Sequence, residues 1–571
     1  MPVFKPILAI AELCAQKRVR HVVICPGSRS AALTLAFARH PQIKTYVIPD
    51  ERVAGFVALG MAQQLKHTVA VVCTSGSAAY NLSPAIAEAY FQQIPMLIFT
   101  ADRPAEWINQ NDGQTIYQQE IYGRHVKASL ELPSDYTHPD SNWHIERSVN
   151  HVINLSLTPP YAPVHINVPI REPFYPTPAE EWEYPVVKRI DYEEIENNLS
   201  IANWHKILNK WDCFERVLIA IGQQEVNDEL SKTLHHLSSE YAIPIIGDVI
   251  SNVTNANFIH HHDTFLLGMS APEAQQFCPE LLITVGKSFI SKALKLFLRN
   301  NKPIEHWHIE INDETIDPFQ TLTKKLNVSP TYFFKKLAED LDFQAFRSGE
   351  EETKDENYLH FWQTAEEKAK KNLHQFLNSL PNFCEFVAVR EVLEALPKDQ
   401  ILHLANSMIV RYANYLTVNG LEVFCNRGTS GIDGCTSTAV GAALQTDKLV
   451  FLLTGDVAFF YDRNALWHQH LPPNLRIVLF NNFGGTIFRL IDGPSKLPEL
   501  EEFFETRHQT TAQLLAQEFK LTYNCINDLN SLLQLLPDFV STNGGPKLIE
   551  IQTDPVLNGK VFEEFKATMK R

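Results

Sequence analysis

Long hydrophobic runs are missing. No apolar stretch approaches the ~18–20 residues that cross a bilayer, so a helical membrane protein is excluded. Paired cysteines are missing too. Cys14, Cys25, Cys73, Cys213, Cys278, Cys384, Cys425, Cys435 and Cys525 are scattered, none forms CxxC, and their number is odd, which points to reduced thiols in a cytoplasmic compartment. The opening segment MPVFKPILAIAELCAQKRVRHVV lacks the charged start and small-residue cleavage site of a signal peptide. It reads as an amphipathic helix entering a strand. Positive charge is in deficit: 50 basic against 66 acidic residues leave a net −16, which argues against nonspecific nucleic-acid binding and against a basic membrane-surface protein. Several metal and nucleotide fingerprints are also absent. There is no HExxH and no GxxxxGK[ST], and the glycines of Gly428-Thr429-Ser430-Gly431-Ile432-Asp433-Gly434 are spaced GxxGxxG rather than GxGxxG. His260-His261-His262 reads as a polar loop, because consecutive side chains rarely converge on one ion.

What is present is a soluble enzyme's composition, 45% apolar and 20% charged, in 571 residues, enough for three or four domains. Residues 1–175 alternate short apolar runs with helical segments. Strands are expected at 21–24, 45–48, 69–73, 96–100 and 164–168, and such βα units imply a doubly wound parallel sheet. The Pro-, Glu- and Trp-rich stretch 176–190 reads as a linker. A second α/β block follows, with strands at 217–221, 243–246, 281–285 and 306–311. The charged segment 347–372 reads as linker leading into a solvated helix. The third block brings strands at 401–404, 450–453 and 477–480. The expected architecture is α/β, three doubly wound parallel-sheet domains at 1–178, 190–345 and 375–571. The first and third blocks share size and rhythm, as two related halves would.

The third block holds the most informative stretch. Val450-Phe451-Leu452-Leu453 runs into Thr454-Gly455-Asp456. A segment with Asp462, Leu466 and Trp467 reads as a crossover helix. Ile477-Val478-Leu479-Phe480 then ends at Asn481-Asn482-Phe483-Gly484-Gly485. In an open parallel sheet, ligands bind outside the carboxyl ends of the strands. A carboxylate, an amide oxygen and a backbone carbonyl are hard ligands that suit Mg²⁺, and nearby glycines let backbone N–H groups approach a diphosphate. Either half alone is an ordinary strand-end turn. Together, one crossover apart, they form a metal–diphosphate candidate built on Asp456, Asn482 and the Gly484 carbonyl.

Gly-Asp followed one crossover later by Asn-Asn resembles the signature of the thiamine-diphosphate enzymes. That resemblance implies that Asp456, Asn482 and Gly484 hold Mg²⁺, with Mn²⁺ as a substitute, and that the metal holds the diphosphate. It further places Gly455, Val457, Gly485 and Ile487 along the cofactor, with Ile432 as the bulky apolar residue under the thiazolium. Glu51 alone would be a helix N-terminal carboxylate favoured by the dipole. By the resemblance it sits beside the aminopyrimidine and favours the tautomer that deprotonates the thiazolium.

Other tracts narrow the likeness: Pro26-Gly27-Ser28-Arg29-Ser30, Thr74-Ser75-Gly76-Ser77, Ala101-Asp102-Arg103-Pro104, Asn167-Val168-Pro169-Ile170-Arg171-Glu172-Pro173, Asn406-Ser407-Met408-Ile409-Val410-Arg411, and Asn426-Arg427 leading into Gly428–Gly434. They resemble one branch of the family, the menaquinone-pathway carboligases that decarboxylate 2-oxoglutarate and add the product to isochorismate. The branch pattern puts Ser407 and Arg411 near the succinyl carboxylate, with Arg427 nearby. Ser28, Arg29, Arg103 and Gln114 fall on the isochorismate side, and Lys292 in the middle block reaches toward it. Arginine suits such sites because its planar fork meets a carboxylate with two hydrogen bonds. Three departures stand out: Ala293 follows Lys292 where the branch tends to have Lys-Arg, Gly113 precedes Gln114 where it has Asn, and Phe483 follows Asn482 where a third Asn is common. A different thiamine-diphosphate carboligase, such as an acetohydroxyacid synthase, is the alternative. It would carry a flavin-binding middle domain or an acceptor pocket without the arginines. A non-catalytic cofactor-binding regulator is disfavoured by Glu51. The family also implies a homodimer or dimer of dimers in which Glu51 of one chain meets Asp456 of another.

Overall fold

The computed structural model describes residues 5–172, 174–176, 182–193, 196–253, 258–312, 314–348, 353–418, 420–490 and 493–569. Pro173 and the expected boundary at 178 lie outside them.

Three parallel sheets organise the chain. The first takes β1 (His21–Ile24), β2 (Lys44–Val47), β3 (Val69–Cys73), β4 (Met96–Asp102), β5 (Ser129–Glu131) and β6 (Val164–Pro169), in the order 2-1-3-4-6-5. The second takes β7 (Val217–Ile221), β8 (Ile245–Gly247), β9 (Leu281–Val285), β10 (Glu305–Ile309) and β11 (Lys324–Leu326), in the order 11-10-9-7-8. The third takes β12 (Ile401–Leu404), β13 (Glu422–Phe424), β14 (Val450–Gly455), β15 (Leu475–Asn481), β16 (Thr522–Ile526) and β17 (Lys547–Gln552), in the order 13-12-14-15-17-16. The first and third sheets follow the same permutation, so the shared rhythm of the two outer blocks reflects a shared topology. Helices cover both faces, which is why β3, β7 and β9 are buried along their whole length and read as unbroken apolar runs. In each outer sheet the strand order reverses beside the first strand, and a crevice opens there at the carboxyl ends.

The strands that sequence patterning passes over have physical reasons for being inconspicuous. β5, β11, β13 and β16 are edge strands, paired on one side only, and carry polar residues. β17 is internal but holds Glu550, fully buried and held by Asn481 Nδ2, the Ala512 N–H and the Tyr523 hydroxyl.

Three expectations are corrected. The crossover after β14 is no single helix: a short helix, Asp456–Tyr461, is followed by a 3₁₀ turn, Arg463–Leu466. The break falls at Asp462, whose carboxyl turns inward to accept from the Ser437 N–H and hydroxyl. The charged segment after 347 is helical over Glu356–Ser379 and not freely solvated. Tyr358 and Trp362 enter the core of the second unit, while Leu373, Phe376 and Leu377 enter that of the third. The triple histidine is not a polar loop either, since His261 Nδ1 lies 2.7 Å from Glu366 and His262 is fully buried, 3.3 Å from Asp248.

The outer units pack directly on each other through two helices, Glu51–Leu65 and Cys435–Ala443. The approach is close enough that a Cβ on Gly60 would stand 2.0 Å from the Thr438 carbonyl oxygen, and one on Gly441 2.1 Å from that of Val57. Only glycine permits this backbone contact.

Candidate active site

The carboxyl ends of β14 and β15 are adjacent, with Gly455 in register with Phe480. That register brings Asp456 level with the end of β15 at Asn481, one residue before Asn482, and both Asp456 and Asn482 are buried. One Asp456 oxygen accepts from its own following N–H at Val457 (2.7 Å), and the other accepts from the Gly484 N–H (2.9 Å) with His508 Nε2 at 3.3 Å. Gly484 is pressed against the Glu505 carbonyl, where a Cβ would stand at 2.8 Å, and Gly485 donates to that same oxygen at 2.7 Å. Ile487 lies on the turn that follows, half-buried against the third-unit core. The loop 483–487 is thereby folded back over the two strand ends.

Asn482 is polarised. Its Nδ2 donates to Glu385 at 2.6 Å, while its buried Oδ1 has no hydrogen-bond partner. An unpartnered buried amide oxygen is an acceptor that a cation would satisfy. Glu385, the first residue of the helix Glu385–Ala395, is buried as well. Burial pushes its carboxyl up to about 7; the Asn482 hydrogen bond opposes this, and the Asp456 charge adds to it. Two carboxyl groups thus share a pocket that a divalent cation suits. Among the described residues no three His, Cys, Asp or Glu side chains gather into a metal-holding group. The donor set is one carboxylate, one amide oxygen and one carbonyl, a hard-oxygen set that fits Mg²⁺.

Next along the third sheet lie the arginines. Asn406, just past β12, donates to the carbonyls of Asn426 (2.6 Å) and Gly431 (2.7 Å) and accepts from Arg427 at 3.0 Å. It ties the β12 and β13 ends to the 426–434 loop. Ser407 has φ 74° and caps the helix Met408–Leu416; Arg411, one turn on, donates back to the Ser407 carbonyl at 2.5 Å. Burial and then the nearby Arg427 charge lower Arg411 from its ordinary value. The Nε of Arg427 is buried without a partner. Ile432 is half-buried on a small cluster of Ala405, Cys435 and Ala458, above the ends of β12 and β14.

The first sheet presents the second group at its own carboxyl ends. Arg29, past β1, donates to the Ile170 carbonyl at 3.1 Å and stacks on Phe174, while its Nε has no partner. Burial, then the Arg103 charge, lower it; Glu172, Asp112 and Asp102 oppose. Arg103, past β4, pairs with Asp112. Gln114 (φ 57°) rides over Gly76, where a Cβ would meet its Cα at 3.3 Å. Gln118 pins that loop by accepting from the Gly76 N–H (2.8 Å) and donating to Asn167 (3.0 Å). Ser28 is exposed beside Arg29.

Glu51 starts its helix just past β2, and Asp50 caps it by accepting from the N–H groups of Arg52 and Val53. Within this chain the neighbours of Glu51 touch the far end of the Asp456–Tyr461 helix: Arg52 donates to the Tyr461 carbonyl (2.8 Å) and Asn464 to Asp50 (2.8 Å). The structure therefore gathers Gly455, Asp456, Val457, Asn482, Gly484, Gly485 and Ile487 in one place, Ser407, Arg411, Arg427 and Ile432 beside them, and Ser28, Arg29, Arg103 and Gln114 in a separate group. Lys292 is exposed in the first turn of the helix Lys292–Asn300, capped by Ser291. Residues that sequence reasoning did not single out include Glu385, Gln118, His508 and Glu88. None carries a local signal, because each acts through a partner distant in sequence.

Residues 8–121 match the family model described as thiamine pyrophosphate enzyme, N-terminal TPP binding domain, and 177–404 that described as middle domain of thiamine pyrophosphate. Fold, strand-end sites and these matches define a thiamine-diphosphate enzyme. The 2-succinyl-5-enolpyruvyl-6-hydroxy-3-cyclohexene-1-carboxylate synthase of Cytophaga hutchinsonii is 43% identical over 570 residues, covering 99% of each chain. Those of Flavobacterium johnsoniae and Desulfotalea psychrophila are 37% and 35% identical, covering 98% and 96% of this chain and 97% and 98% of their own. The chain belongs to this family, the 2-succinyl-5-enolpyruvyl-6-hydroxy-3-cyclohexene-1-carboxylate synthases.

Proposed function

We propose that this chain decarboxylates 2-oxoglutarate and joins the remaining four-carbon acyl unit to isochorismate, a step of menaquinone biosynthesis. The product named by the relatives carries a succinyl, an enolpyruvyl and a ring carboxylate. Three anionic groups must be held, in a protein of net charge −16. The observation that carries the reading is the pair of arginine groups at strand ends, Arg411 with Arg427 and Arg29 with Arg103. Three of these four have no carboxylate partner among the described residues.

Thiamine diphosphate, when bound, supplies the electron sink for the carbanion left by CO₂ loss. Asp456, Asn482 and the Gly484 carbonyl would hold Mg²⁺ or Mn²⁺ against its diphosphate, and Gly455, Val457, Gly485 and Ile487 would line it. Ile432 would support its ring. Glu51 would hold a proton at the pyrimidine nitrogen. Ser407, Arg411 and Arg427 would orient 2-oxoglutarate by its distal carboxylate. Ser28, Arg29, Arg103, Gln114 and Lys292 would receive isochorismate. We assign the pyrimidine side to residues 1–178, the middle domain to 190–345 and the diphosphate side to 375–571. Because the neighbours of Glu51, Asp50 and Arg52, meet Asn464 and the far end of the Asp456 helix in their own chain, we assign Glu51 to the cradle of a second copy, with paired sites in a homodimer or dimer of dimers in the cytoplasm.

The test is direct. Protein supplied with Mg²⁺, thiamine diphosphate, 2-oxoglutarate and isochorismate should consume isochorismate and release CO₂. Unchanged isochorismate, with condensation of pyruvate instead, would point to another carboligase.

A further inference from the structure

Asn482 has two chemically different ends on one amide group. Only the oxygen can serve a cation; the NH₂ end would turn two positive hydrogens toward it. Backbone geometry places the amide but does not choose which way round it sits. The choice is made by whatever lies on its other side, and here that is Glu385. Its carboxylate accepts from Asn482 Nδ2 at 2.6 Å. In this contact the amide nitrogen is turned toward Glu385, so Oδ1 is left on the other side of the amide, buried without a partner.

Glu385 is itself held. It sits at the N-terminus of the helix Glu385–Ala395, where negative charge is favoured. Its N–H donates to Asn558 at 2.9 Å, and Asn558 in turn donates to the Thr553 hydroxyl at 2.9 Å. Thr553 lies just past β17, two strands from β14, so the contact is anchored to the sheet. No lysine, arginine or histidine lies within ion-pair distance of Glu385 among the described residues.

We infer that Glu385 is a positioning residue for the metal site: it locks the Asn482 amide with its oxygen toward the cation. The inference rests on the reading of Asp456, Asn482 and Gly484 as metal ligands. Outer groups of this kind typically carry about 10- to 100-fold in metal affinity.

The experiment measures Mn²⁺ affinity of the full-length apoprotein in the presence of thiamine diphosphate, by loss of the free Mn²⁺ electron paramagnetic resonance signal. Far-UV circular dichroism and thermal unfolding report the fold. Glu385→Leu, similar in bulk, should weaken Mn²⁺ binding at least about 10-fold. Glu385→Gln should weaken it less, because two amides can pair either way round. The discriminating variant is Glu385→Leu combined with Asn482→Asp. A carboxylate has two equivalent oxygens and needs no orienting partner, so this double variant should bind Mn²⁺ more tightly than Glu385→Leu alone. A merely structural role would not be rescued. Folded Glu385→Leu with unchanged Mn²⁺ affinity overturns the inference, as does absence of rescue. If Glu385→Leu does not fold, unchanged affinity in Glu385→Gln overturns it. Asp456→Ala separates the two readings: Mn²⁺ binding that survives this change sinks the metal site itself, whereas its loss with Glu385 variants unaffected sinks only the role of Glu385.

Discussion

Glu88, on a helix of the first unit, receives the Gly428 N–H at 2.7 Å and the Thr429 N–H and hydroxyl at 2.7 and 2.6 Å from a loop of the third. The carboxylate is buried and also accepts from Gln92 at 2.5 Å. One acidic side chain thereby holds the loop that carries Arg427. Glu88→Ala is expected to lower stability by roughly 2 kcal/mol or more, because hydrogen bonds to a charged group are the stronger kind. It should also raise KM for 2-oxoglutarate more than it lowers kcat. Urea unfolding and initial rates check both; an unchanged KM would detach the loop from substrate binding.

Glu51→Gln removes a carboxylate while keeping size and the helix start. Cofactor binding, followed by intrinsic fluorescence, should stay close to wild type. Turnover should fall by roughly 10²-fold or more, the scale of a lost acid–base contribution. Near-normal turnover would remove Glu51 from the chemistry.

The two arginine groups should separate by substrate. Arg411→Met or Arg427→Met should raise KM for 2-oxoglutarate, and Arg29→Met or Arg103→Met that for isochorismate. Each should cost about 1.5–3 kcal/mol, or roughly 10- to 150-fold, for one charge-assisted contact. Initial-rate kinetics with each substrate varied in turn give the answer. Equal effects on both substrates would mean the groups do not divide the labour.

Acid stability has an identifiable contributor. His403, on β12, is buried, with its ring stacked on Phe424 at 5.1 Å, and burial lowers it to about 3 from 6.5. Folded protein therefore refuses a proton that the unfolded chain accepts. The contribution is fully present above pH 6.5 and is lost as the pH falls toward 3. His403→Leu should keep roughly 2.5–3 kcal/mol more of its neutral-pH stability at pH 4.5 than the wild type does, at about 1.4 kcal/mol per pH unit below 6.5. Parallel urea titrations at the two pH values measure the difference, and no difference would mean that His403 is solvated in the folded state.

Much of this was legible in the sequence because central parallel strands are continuous apolar runs whose ends are punctuated by glycine. Asp456, Asn482 and Arg29 follow such runs and Arg103 follows the apolar run of β4, so their placement at strand ends could be read directly, with Arg411 one helical turn further on. The edge strands could not, since β13 and β16 are short and half-polar. Glu550 hid an internal strand, because a buried carboxylate reads as a surface one until its four donors, Asn481, Ala512, Tyr523 and Gln552, are seen. Glu385 was invisible for the same reason: 97 residues separate it from Asn482, and no local spacing reports such a pair.

The contact between the helices Glu51–Leu65 and Cys435–Ala443 is reciprocal. Each follows the corresponding strand of its sheet, β2 or β13, and each offers a glycine to the other's backbone carbonyl. The surface therefore resembles the isologous contacts that join identical subunits, although its two halves differ in sequence and lie within one polypeptide. A self-complementary face has no soft side. A side chain at Gly60 or Gly441 would press on a carbonyl that cannot rotate away, so an enlargement on either helix can be answered only by a shift of the whole opposite helix. The separation between the Glu51 edge and the Asp456 edge is thus set by two missing methyl groups.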